Sequence, residues 1–129
     1  MGTREATSGT AAGDCQTNDW VGTSRGWAIW GSAVALLLLG GHFSGVARTW
    51  LWFFGFLVGG AGCVANAARC GRRHCYLTGP ALLLGAGYMG LVGLHSVVMN
   101  ENLVLGVVAG AAVLGCLSEH VLGLYAKRN

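Results

Sequence analysis

Four long apolar runs limit what this chain can fold into more than any other feature. They cover residues 27–43, 49–68, 81–99 and 103–125. A helix of about 20 apolar residues, rising ~1.5 Å per residue, crosses the ~30 Å hydrocarbon core of a bilayer. The first run, at about 17 residues, is at the short end of that range. Charged residues make up 10% of the 129, against roughly 25% in an ordinary soluble domain, and the mean hydropathy is +0.56. A water-soluble domain of this length has no core large enough to hide so much apolar surface. The expected fold is therefore an all-α membrane protein, a four-transmembrane-helix antiparallel bundle. Short connections force neighbouring helices to run antiparallel.

The polar segments divide the chain. Residues 1–26 carry Thr, Ser, Gly and Asp without a hydrophobic period and read as a flexible tail. Residues 69–80 read as a polar loop in which Pro80 opens the third helix at its first position. Residues 100–102 read as a short turn, and 126–129 as a second tail. Gly45-Val46-Ala47 resembles a signal-peptide cleavage site. However, the preceding run exceeds the usual h-region of about 7–15 residues, and the tail carries Glu5, Asp14 and Asp19, which suits no n-region. The start at Gly2 lacks the Ser or Thr of a myristoylation signal, since position 6 is Ala6.

Basic residues set the expected orientation. With four crossings, Arg4, Arg25, Arg69, Arg72, Arg73, Lys127 and Arg128 share one side, and only Arg48 lies on the other. This places both termini and the 69–80 loop in the cytoplasm. A net charge of +3 without a basic face argues against nucleic acid as a partner. The lipid bilayer is the expected partner. Gly55 with Gly59, and Gly106 with Gly110, form G-x-x-x-G pairs suited to close helix packing within the bundle, in a homo-oligomer or in a larger membrane complex.

The 69–80 loop carries the densest chemistry. Cys70 and Cys75 flank His74, and thiolate with imidazole suits soft ions such as Hg, Cu or Zn. Arg69, Arg72 and Arg73 favour thiolate over thiol by charge. The five cysteines are odd in number and two sit in apolar runs, a poor disulfide framework. Further ligands come from the helices. Cys63, Asn66 and Cys70 fall at i, i+3 and i+7 on one face. Cys116, Glu119 and His120 fall at i, i+3 and i+4 on another. Cys63 lies ~21 Å along its helix and Glu119 ~24 Å along the fourth, both in the cytoplasmic half. The expected metal set is Cys63, Cys70, His74, Cys75, Cys116, Glu119 and His120. On the opposite side, His42, His95, Met99 and Glu101 form a second, weaker group.

The block Asn66-x-x-Arg69-Cys70-Gly71-Arg72-x-His74-Cys75-x-x-Thr78-Gly79-Pro80 resembles one found in small bacterial membrane proteins without an assigned activity. That resemblance implies a bacterial inner (cytoplasmic) membrane location. More loosely, the layout is similar to the small mercuric-ion transport proteins, which carry one thiol pair in the first helix and another in a cytoplasmic segment. The first run here holds no cysteine, so the resemblance implies only the cytoplasmic hand-off, at Cys70 and Cys75.

Three functions follow as expectations. The first is binding or transport of a thiophilic ion, without ATP, because no P-loop is present. The second is thiol redox chemistry, although Cys70 and Cys75 are wider apart than a C-x-x-C pair. The third is a non-catalytic structural or assembly subunit. The first favours a binding or transport protein over an enzyme.

Overall fold

The computed structural model describes residues 19–122. Most of the expected N-terminal tail, the last residues of the fourth run, and Arg4, Lys127 and Arg128 lie outside them. Four helices and no strand occur among the described residues: α1 (Ser24–His42), α2 (Val46–Cys70), α3 (Arg73–Gly93) and α4 (Glu101–Leu122).

Local chemistry explains the helix ends. Thr23 caps α1, its Oγ1 accepting from the Gly26 N–H at 3.2 Å and donating to the Trp20 carbonyl at 2.7 Å. Such a cap satisfies a helix donor that has no partner within the helix. The turn into α2 depends on Gly45 at φ 64°, a left-handed backbone open mainly to glycine.

The segment 69–80, expected to be a loop, is mostly helical. α2 runs on to Cys70, and Gly71 at φ 66° ends it with its N–H on the Ala67 carbonyl at 2.7 Å. Arg72 alone then separates Gly71 from α3, which starts at Arg73. One left-handed residue reverses the chain, so a long loop is not needed. Pro80 stands inside α3 and not at its start. Its ring removes the N–H that would bond the Tyr76 carbonyl, a gap that spanning helices accommodate.

α3 also ends earlier than the 81–99 run implies, at Gly93. His95 adopts φ 56°, and the chain crosses to α4 over residues 94–100. Tyr88 fastens this crossing: its hydroxyl donates to the Val98 carbonyl at 2.8 Å and accepts from the Asn100 N–H at 2.9 Å. The Asn100 side chain then accepts from the Leu103 N–H at 3.1 Å, at the start of α4.

α2, α3 and α4 are long and apolar enough to cross a membrane. α1 is not among them: it has 19 residues, with Ser24 and Arg25 at its start and His42 at its end. The described residues thus support three crossings where four are expected from the sequence. Large apolar side chains face outward along α4, including Leu103, Leu105, Val107, Val113, Leu114, Leu117 and Val121. In water such a surface is a liability, and in a bilayer it is the ordinary outer face.

α2 packs against both α1 and α3, while the backbone of α4 comes close only to α3. Small residues set these approaches. A Cβ on Gly55 would stand 3.2 Å from the Ala33 carbonyl oxygen, one on Gly60 3.0 Å from the Leu83 nitrogen, and one on Gly79 3.2 Å from the Val64 nitrogen. Gly106 and Gly110 face open space, so that pair does not serve packing among these helices. One buried cluster joins Trp52, Phe56, Ala86, Met89 and Val104. The Trp52 indole donates to the Leu37 carbonyl at 3.1 Å. At that cluster's end, Arg48 is ion-paired with Glu101, linking the starts of α2 and α4.

Candidate functional site

A second buried cluster forms where α2 ends and α3 begins. Cys63, Asn66, Ala67 and Cys70 are all buried on one face of α2, as their spacing indicates. The reversal at Gly71 returns the chain so that Cys75, in the first turn of α3, packs on Cys63 and Ala67, with Trp30 and Leu82 closing the sides. Cys75 is 0% exposed and Cys63 4%. Cys63 and Cys75 are free thiols.

A chain of polar groups runs outward from this pair. The His74 Nε2 lies 3.3 Å from the Cys75 Sγ. The other ring nitrogen, Nδ1, lies 2.6 Å from the Glu119 Oε1 on α4. The same carboxylate oxygen accepts the His74 backbone N–H at 3.4 Å. Glu119 therefore occupies the N-terminus of α3, where open N–H groups and the helix dipole favour a negative charge.

Arg72 joins two carboxylates. Its guanidinium lies 2.6 Å from the Asp19 Oδ2 and 3.2 Å from the Glu119 Oε1. Asp19 is buried, and its Oδ1 accepts from the Asn66 side-chain amide at 2.9 Å and the Val21 N–H at 3.1 Å. Burial alone would raise the Asp19 carboxyl, yet the Val21 N–H, Asn66 and Arg72 together hold it below the usual carboxylate range. Burial works against the Arg72 charge, but Asp19 and Glu119 outweigh it and hold the guanidinium above its ordinary value. Asn66, 0% exposed, uses both ends of its amide, since its Oδ1 accepts the Trp20 N–H at 3.3 Å. Arg69 lies over the Trp20 ring, 5.0 Å from its centroid.

The structure thus brings together Cys63, His74, Cys75 and Glu119 from the expected set. Cys70 is buried at the end of α2. Cys116 and His120 are exposed on α4. It is Gly115, beside Cys116, that faces α3, close enough that a Cβ there would meet the His74 Cβ at 3.0 Å. Among the described residues, no three His, Cys, Asp or Glu side chains stand as a preformed metal cage. At the opposite end, His95, Met99 and Glu101 line a shallow cleft of about 360 Å³ with Arg48 and Thr49; His42 is not part of its lining.

Sequence reasoning missed Asp19, which sits in a tail without any period and gives no local signal. It read Arg72 as a topological charge and a cation favouring thiolate, not as the link between two carboxylates, and gave Trp30 no site role. No family model, curated protein or solved structure matches this chain.

Proposed function

We propose that this chain is a small multi-pass protein of the bacterial inner membrane that binds a soft, thiophilic metal ion between Cys63 and Cys75. In this reading α1 makes a fourth crossing, both termini are cytoplasmic, and the thiol cluster lies at the cytoplasmic end. The positive-inside bias and the 66–80 block support that placement. Lipid covers the exposed apolar surface of α4.

The observation that carries the reading is the packing of Cys63 and Cys75 in one buried cluster. Two buried neighbouring thiols suit a soft ion such as Cu(I) or Hg(II), for which thiolate is a preferred ligand. His74 and Glu119 stand where they would orient one of the two ligands. The ligand pair is then Cys63 with Cys75, and Cys70 and Cys116 are not needed. The test is metal analysis of detergent-purified protein loaded with Cu(I) or Hg(II). C63S and C75S should each lose the bound ion, and C116S should keep it. Equal stoichiometry in all four proteins would sink the idea.

The same packing favours thiol redox chemistry as a second reading. Cys63 and Cys75 would give up two electrons and two protons to form a disulfide, with a quinone or a small disulfide as oxidant. Alkylation trapping in cells separates the two. A pair that is always reduced removes the redox reading, and a pair that cycles supports it.

A further inference from the structure

The two thiols are almost fully enclosed, so no ion or reagent reaches them unless something moves. The helices around them are poor candidates. α2 meets α1 at Gly55 and Gly62 and meets α3 at Gly60 and Gly79, where even a Cβ has no room, and packed interiors of this kind do not yield gradually. The segment before α1 is different. Residues 19–22 lie outside the helices: the Trp20 carbonyl accepts from the Thr23 N–H and hydroxyl and sits against Gly26, while Gly22 adopts φ 84° with open space around it.

We infer that residues 19–22 form a displaceable strap at the Cys63–Cys75 end of the bundle, and that its release opens the site. This rests on the reading of that pair as the binding site. The strap's contacts converge on the residues that hold the thiols. Asp19 and the Trp20 N–H both bond Asn66, which is fully buried on the same face of α2 as Cys63. Asp19 also bonds Arg72, and Arg72 bonds the Glu119 carboxylate that orients His74. The Trp20 ring rests on Arg69 at the end of α2. These contacts are polar and lie at the chain-reversal end of the bundle, where water replaces them when they part. Low-stability elements of this kind open without global unfolding.

The test measures alkylation of Cys63 and Cys75 by N-ethylmaleimide in the full-length purified protein, each site read separately by mass spectrometry. D19N and W20A should alkylate at both positions about tenfold faster than wild type. E101A, altered at the far end, should match wild type. Unchanged rates in D19N and W20A would overturn the strap. Hydrogen exchange on the wild-type protein guards against variants that merely unfold. The Trp20 and Val21 amides should exchange faster than those of residues 63–67, and equal rates would also overturn the proposal. Neither measurement uses a metal. A protein that binds no ion but responds to D19N retains the strap and loses the metal reading, and the reverse result retains the metal reading alone.

Discussion

The Glu119 Oε1 lies 2.6 Å from the His74 Nδ1, and the opposite nitrogen of that ring lies 3.3 Å from the Cys75 sulfur. A carboxylate on α4 thereby sets the orientation of an imidazole on α3. Partners one step removed from a ligand typically alter metal affinity by about 10- to 100-fold. H74A should weaken soft-metal binding by about that factor, and E119A, one step further out, by less, measured by competition with a chelator of known affinity. H120A, on the exposed side of α4, should leave it unchanged.

Asp19 makes stability depend on pH in a defined direction. Its folded carboxyl titrates below the ordinary value of about 3.9. Its contribution is therefore whole above that value and is lost as the pH falls through the lower, folded one. Wild type should be more stable than D19N at neutral pH. The gap should close as the pH drops below about 4. Thermal unfolding in detergent across the series checks this, and a constant gap would contradict it.

Glycine positions that look alike in sequence should respond differently. A side chain at Gly60 meets the Leu83 backbone nitrogen at 3.0 Å, while one at Gly106 meets nothing within 4 Å. Overpacking of this kind costs about 1–3 kcal/mol. G60V should lower the thermal midpoint accordingly, and G106A should leave it unchanged or raise it.

Thr78 carries a buried hydroxyl with no hydrogen-bond partner among the described residues. Removing an unsatisfied polar group while keeping its shape is neutral or stabilising. T78V should unfold at the wild-type temperature or above it. A drop of about 1 kcal/mol or more would show that the hydroxyl is bonded in the working protein.

Much of the site was visible from spacing alone. Cys63, Asn66 and Cys70 share a buried face of α2 because a helix repeats every 3.6 residues. His74 and Cys75 were marked by their chemistry. The ends of the helices were less legible, since polarity reports solvent and not backbone state. The polar residues 73–78 are helical, while the apolar Val97 and Val98 lie in the crossing between α3 and α4. The roles of Cys116 and His120 were also hidden. Glu119 faces α3 and His120 does not, and that depends on how α4 is turned about its axis.

The sequence by itself determined the solvent, the helical class and the gathering of thiols and basic residues near one chain reversal, because these follow from composition and period. Only the tertiary structure decided which thiols meet. Cys70 and Cys75 are nearer in sequence, but the left-handed Gly71 folds α3 back along α2 and sets Cys75 against Cys63. It also decided that Asp19 reaches Arg72 at 2.6 Å across more than fifty residues. Contacts of that kind arise from packing between elements, and no local pattern encodes them.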